Sequence, residues 1–330
     1  MIVDEIRNKT NSEFELDRAK ELLNLVKIAH DRFDYSKKHP TYKWEADLSP
    51  IETTTGRYEI LTNLGFAGYF FLKRRRVPFG FIARREISPG RFEIFVVFRG
   101  TVNPEEWISN LKLVQSSYEK KDDPKLSINP QNCTIPSDQI GKIHRGFYLT
   151  YTRPDAGSLL DLIIDLSLGN NHDSMRDTIE KTLSNAQLCP PESQVFVTGH
   201  SLGGALANLS ALHIHASNAI PFDFPILYAF ANPRVGDRQF AQHFKHLECY
   251  RIANSEDLVT TIPLPSLLLA ASRIPLREIA VPSAKSLTGK PEYEHVGQSV
   301  YFTIQTGSVA GNHIIPTYQD ALAQMNTANG

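Results

Sequence analysis

The sequence predicts an α/β fold: a mostly parallel central sheet flanked by helices, with antiparallel pairs near its start. Apolar, strand-length runs at 194–198, 225–230, 249–253 and 299–304 alternate with helical stretches, the pattern of parallel strands joined by crossovers. Short β-rich segments at 68–72, 80–83 and 91–98 lie close together, separated by Val77-Pro78-Phe79-Gly80 and Ser88-Pro89-Gly90, and read as hairpins. The run Val195 to Ala207 reads strand, sharp turn, helix, with Ser201 at the apex.

Composition agrees with this. The 330 residues are 41% hydrophobic and 22% charged, as expected for a globular chain with a sizeable core. The net charge of −1 gives no overall field favouring nucleic acid or a membrane surface. The apolar stretch 262–274 is short and broken by Pro263, Pro265 and Arg273, so no transmembrane segment is expected. The first residues, Met1 to Arg7, do not read as a signal peptide, and a cytoplasmic protein is the expectation. Cys133, Cys189 and Cys249 are widely spaced and expected to be reduced thiols; no metal or cofactor site is expected.

Element by element, residues 13–30 carry Leu16, Ala19, Leu22, Leu23, Val26 and Ala29 at helical period, an amphipathic helix expected to pack on the outside of the main fold. Residues 31–56 are polar and irregular, so 1–56 reads as an N-terminal helical extension on a single domain spanning 1–330. The stretch 119–140 reads as a polar loop, and helices are expected at 157–166, 174–186, 203–217 and 314–325.

The turn Gly199-His200-Ser201-Leu202-Gly203 fits a nucleophile elbow, in which small residues two before and two after the serine make room for a strained apex. The Leu202 amide opens the following helix, where backbone N–H groups lack partners. A serine nucleophile needs a base and an orienting acid, which in this arrangement follow it in the order acid, then histidine. Asp237, Glu256 and Asp257 stand at strand ends after Ser201, and Asp257 is preferred because it lies just past the 249–253 strand. Of the two later histidines, His313 follows the last strand and opens the terminal helix, which suits a base; His295 precedes that strand and reads as a structural hydrogen-bonding residue. The exit Phe98-Arg99-Gly100-Thr101 offers the Thr101 amide as the second oxyanion donor beside Leu202. Asn103, Pro104 and Glu106 then start a short helix with Trp107, Ile108, Leu111 and Val114 on one stripe, which reads as a lid.

Together with Ile143-His144-Arg145-Gly146-Phe147, Asn232 to Asp237 and Tyr293 to Gly297, these motifs resemble the class 3 lipases, the fungal-lipase-like α/β-hydrolases, over roughly residues 57–325. The resemblance implies ester hydrolysis on acylglycerols or polar acyl lipids. It implies Ser201, Asp257 and His313 as the triad and Thr101 with Leu202 as the oxyanion hole. A triacylglycerol lipase-like activity is the leading expectation, with phospholipase A1 or galactolipase as the variant. A silent lipase-like binding protein is the alternative from another class, disfavoured because all three triad residues are present. Two further features bear on lipid. The apolar stretch 263–290 is a candidate acyl-chain wall, and Lys73, Arg74, Arg75, Arg76, Arg84, Arg85 and Arg91 stand against Glu86 alone, a candidate docking patch for anionic lipid.

Overall fold

The structure, a computed structural model, describes residues 13–70, 73–101, 134–135, 139–152, 173–262 and 293–325. The chain opens with helix α1 (Leu16–Lys38) and strands β1 (Ile51–Thr53), β2 (Gly56–Phe70), β3 (Lys73–Ser88) and β4 (Arg91–Phe98). Helices α2 (Arg145–Thr152) and α3 (Met175–Leu183) precede β5 (Gln194–His200), α4 (Leu202–Ala216) and β6 (Ile226–Phe230). Next come β7 (Gly236–Asp237), α5 (Arg238–Gln242), β8 (Cys249–Asn254), a 3-10 turn (Leu258–Thr261), β9 (Tyr293–Glu294), β10 (Gln298–Phe302), α6 (Val309–His313) and α7 (Ile315–Met325).

Among the described residues the main sheet has eight strands in the order β1-β2-β3-β4-β5-β6-β8-β10. The first four pair antiparallel and the joins from β4 to β10 are parallel. Alternation along the strands divides the core into two layers. Ile94, Val96, Phe98, Val195, Val197, Leu227 and Ala229 face α2, α3 and α4. Phe95, Val97, Phe196, Tyr228, Phe230, Tyr250 and Ile252 face α1 and α7. The central strands are apolar on both faces because helices cover both. In α1, Ala19, Leu22, Leu23, Leu25 and Val26 are fully buried, so this helix is one of the two that close the second face.

The sequence segmentation fails at the hairpins. Val77-Pro78-Phe79-Gly80, expected as a turn, lies inside β3, and pairing of β2 with β3 runs from Glu59↔Arg84 to Phe70↔Lys73. Pro78 is tolerated because the β3–β4 ladder stops at Gly80↔Phe98, and the β2–β3 register shifts between Leu64 and Gly65. The turn at Ser88-Pro89-Gly90 does join β3 to β4. His313 does not open the terminal helix; it ends α6, two residues before α7 begins. The helix expected at 157–166 lies outside the described residues, and α3 is shorter than the 174–186 expected.

Three cations of the run, Arg76, Arg84 and Arg85, have acidic partners that local sequence does not reveal. Arg76 pairs with Glu45 and lies over the Trp44 ring, and Arg84 pairs with Glu59 at 2.8 Å. Arg85 bridges Glu21 and Glu93, both also bound by Arg18. The acids that balance these cations sit on α1, β2, β4 and the loop after α1, where a linear reading does not find them.

Candidate active site

Ser201 ends the approach from β5 with φ 59° and ψ −124°, a conformation that L-residues avoid. The surroundings hold it there. Its amide donates to the Phe230 carbonyl at 2.9 Å, and its carbonyl accepts from the Ala205 amide at 3.2 Å in the first turn of α4. A Cβ on Gly199 would stand 2.2 Å from the Gly203 carbonyl oxygen, and one on Gly203 would stand 2.4 Å from that of Arg99. The two glycines let strand, helix and the exit of β4 meet without side chains between them. Because Phe98 is in register with Gly199, that exit brings Thr101 to the same end of the sheet as Ser201. Among the described residues the buried Thr101 hydroxyl has no hydrogen-bond partner, and Leu202 opens α4, where helix geometry leaves its amide free of intrahelical bonds.

The Ser201 hydroxyl lies 2.8 Å from His313 Nε2, and His313 Nδ1 lies 2.7 Å from Asp257 Oδ2. The tautomer that satisfies both contacts carries its proton on Nδ1, which donates to Asp257 while Nε2 accepts from Ser201. All three residues are at most 2% exposed, so charge forming here is little screened by water. The structure brings these three together and leaves the competing acid and histidine candidates elsewhere. Glu256 contributes its backbone carbonyl to the Asn312 side chain, and Asp237 caps α5 through the Phe240 amide. His295 donates from Nε2 to the Thr260 carbonyl at 2.8 Å, and burial pushes its pKa down to about 3. Trp107, Ile108, Leu111 and the stretch 263–290 lie outside the described residues.

Asp257 is held by three donors. The Val259 amide reaches Oδ1 at 2.9 Å, and the Tyr318 hydroxyl shares Oδ2 with His313 at 2.8 Å. Burial, with the Asp257 charge adding to it, holds the Tyr318 phenol well above its ordinary pKa, so it stays a donor. Tyr318 accepts in turn from the Asn254 amide at 3.1 Å. The Asn254 side chain donates to the carbonyls of Ile304 and Asn312, and its oxygen accepts from the Ile304 amide. The loop after β8, which carries the acid, is thereby tied to the segment after β10 and to α6, which ends in the histidine. His200 adds a contact from below. Its Nε2 donates to the His313 carbonyl at 2.7 Å, and burial, helped by nearby His313, keeps the ring neutral, its pKa well below the ordinary value.

Tyr318, Asn254 and Asn312 are absent from the sequence-derived site. Asn254 ends β8, Asn312 precedes His313 and Tyr318 lies in α7, but the bonds that join them to one another and to Asp257 span 50 or more residues, and no local pattern selects them.

Residues 95–267 match the family described as lipase (class 3). A phospholipase A1-II 6 of Oryza sativa subsp. japonica is 30% identical over 190 residues, 53% of this chain and 41% of that protein. A chloroplastic galactolipase, DONGLE, of Arabidopsis thaliana is 30% identical over 183 residues, 53% of this chain and 34% of that protein. The chain thus spans less than half the length of these relatives. Among solved structures, the Rhizomucor miehei lipase–propeptide complex superposes with a TM-score of 0.47 at 20% identity, covering 88% of this chain and 70% of that one. With more than half of its length matched, and with the elbow serine, the later acid and the last histidine in one hydrogen-bonded row, the chain belongs to the class 3 lipase family.

Proposed function

We propose that this protein hydrolyses carboxylic esters of lipids through an acyl-enzyme, with Ser201 as nucleophile, His313 as general base and Asp257 as orienting acid. The observation that carries the reading is the unbroken row Ser201 Oγ, His313 Nε2, His313 Nδ1, Asp257 Oδ2, with contacts of 2.8 and 2.7 Å, on a serine held at positive φ. In the first half-reaction Ser201 Oγ bonds to the ester carbonyl carbon while its proton passes to His313 Nε2. Asp257 stabilises the imidazolium, and the amides of Thr101 and Leu202 receive the oxyanion. Collapse breaks the bond to the leaving alkoxide, which takes the proton from Nε2. Water then repeats the sequence on the acyl-enzyme, with His313 first removing its proton and then returning it to Ser201 Oγ as the fatty acid leaves.

Triacylglycerol is the leading substrate class in this proposal. The names of the relatives, phospholipase A1 and galactolipase, support including diacyl lipids with polar head groups. The amphipathic pattern at 103–114 supports a lid over the acyl site. Contact with an anionic lipid surface is proposed through Lys73, Arg74 and Arg75, because Arg76 is already engaged by Glu45. Among the described residues no helix is long and apolar enough to cross a membrane.

The test is turnover of emulsified triacylglycerol, phospholipid and galactolipid by wild type and Ser201→Ala. We expect labelling of the wild type by a fluorophosphonate, hydrolysis of at least one lipid, and loss of both in the variant by about four orders of magnitude or more. Activity above a few per cent in Ser201→Ala would refute the assignment.

A further inference from the structure

Arg99 follows β4 and is 4% exposed. A buried guanidinium is costly unless its donors are used. Among the described residues no carboxylate pairs with it. Its Nε donates to the Pro78 carbonyl at 2.7 Å and its Nη1 to the Gly100 carbonyl at 2.6 Å. Its flat faces rest on two aromatic rings, with the guanidinium carbon 3.7 Å from the centre of Phe33 and 4.5 Å from that of Phe79. Phe33 belongs to α1, outside residues 95–267 that match the family.

The bond to Gly100 has a consequence one atom further on. The Gly100 carbonyl and the Thr101 amide belong to one planar peptide unit, and in the trans form its C=O and N–H point in opposite directions. Fixing the carbonyl fixes the direction of the Thr101 N–H. A cationic donor on the oxygen also polarises the unit, making the N–H a stronger donor. This peptide lies against the elbow: a Cβ on Gly100 would stand 2.9 Å from the His200 carbonyl oxygen and 3.2 Å from Ser201 Cβ. We propose that Arg99, held by Phe33 and Phe79, is a positioning residue that aims and polarises the Thr101 amide as an oxyanion donor, so that α1 sets the rate of the chemical step. The proposal rests on the hydrolase reading given above. Burial lowers the Arg99 pKa to about 9, which leaves it charged at neutral pH.

A staple that merely joined the exits of β3 and β4 would affect the amount of folded protein. An aimed donor affects kcat. The test uses the full chain and a soluble short-chain ester, with active sites counted by the end point of fluorophosphonate labelling. The affinity for a trifluoromethyl ketone, which forms a tetrahedral oxyanion adduct on the serine, is measured beside kcat and KM. We expect Arg99→Lys, which keeps the charge but loses the two-carbonyl fork, to lower kcat by about 30-fold with KM within about twofold. Ketone affinity should weaken by the same factor. Phe33→Leu, which keeps apolar bulk but removes the ring face, should lower kcat and ketone affinity together by about threefold. Wild-type kcat per active site and wild-type ketone affinity in both variants would overturn the proposal, even with a lowered Tm. If Arg99→Lys does not fold, Phe33→Leu decides alone by the same criterion. If Ser201→Ala stays active, the hydrolase reading fails and this inference with it. If Ser201→Ala is inactive while both variants keep wild-type kcat and ketone affinity, only this inference fails.

Discussion

Removing the hydroxyl of Tyr318 probes how the acid is held, with little change in shape. The ring is fully buried, packed edge-on to Phe302 with centroids 4.9 Å apart and to His200 at 5.6 Å, and Tyr318→Phe keeps that packing. It deletes a charge-assisted bond to Asp257 and leaves the buried Asn254 amide without an acceptor. The first loss is worth about 1.5–3 kcal/mol, and an unsatisfied buried donor costs about 1–3 kcal/mol. One hydroxyl serves both, so the two do not add in full, and a net destabilisation of about 3 kcal/mol follows. For a chain of 330 residues that corresponds to a fall in Tm of roughly 4–5 °C. The effect on rate should be smaller than on stability. Asp257 keeps the Val259 amide and His313 Nδ1, so the imidazolium still faces a carboxylate, and kcat should fall about tenfold. The assay is kcat and KM on a soluble ester with counted active sites, beside thermal unfolding. Unchanged kcat and unchanged Tm would refute the view that Tyr318 supports the acid. A loss as large as that of Asp257→Asn would refute the view that it only orients it.

Other perturbations test neighbouring parts of the site. Asp257→Asn should lower kcat by about three to four orders of magnitude while leaving the fold intact by circular dichroism, since the wrong tautomer of His313 is then favoured; retention of a tenth of the rate would contradict the assigned role. Gly203→Ala places a methyl group 2.4 Å from the Arg99 carbonyl oxygen and 2.6 Å from that of Phe98. It should both destabilise the protein by several kcal/mol, read by urea unfolding, and remove turnover, read on a soluble ester; a stable, active variant would mean that elbow and β4 exit are not tightly packed. His144 predicts a pH dependence. Burial lowers its pKa from 6.5 to about 4, so between these values the unfolded chain binds a proton that the folded chain does not. Stability is therefore highest above pH 6.5 and falls as the pH drops toward 4, by roughly 3 kcal/mol from this residue. His295 acts in the same direction. Urea midpoints measured from pH 7 to 4 should show a shallower fall in His144→Gln, and an unchanged slope would exclude this origin.

Local chemistry was enough to make the elbow, the parallel strands and the chain order of Ser201, Asp257 and His313 legible from sequence. A serine between glycines, fed by β-branched residues and followed by a small-residue helix, has one simple reading, because each requirement is met within a few residues. The apolar period of α1 likewise marked a helix, but its role in closing the second face of the sheet depended on which strands it met. The choice of Asp257 over Glu256 shows the boundary. Neighbours in a loop point to different sides, and only the turn Leu258–Thr261, capped by Asp257, directs that carboxylate to His313. The turn expected at 77–80 is absent because Pro78 is a turn signal only locally, whereas an edge of the ladder and a register shift accommodate it within β3. The partners of Arg76, Arg84 and Arg85 are likewise hidden from a linear reading: Glu21, Glu45, Glu59 and Glu93 come from elsewhere in the chain. Tyr318, Asn254 and the grip of Phe33 on Arg99 belong to the tertiary structure alone, since hydrogen bonds and ring contacts act over a few ångströms in space and leave no period or spacing in the sequence.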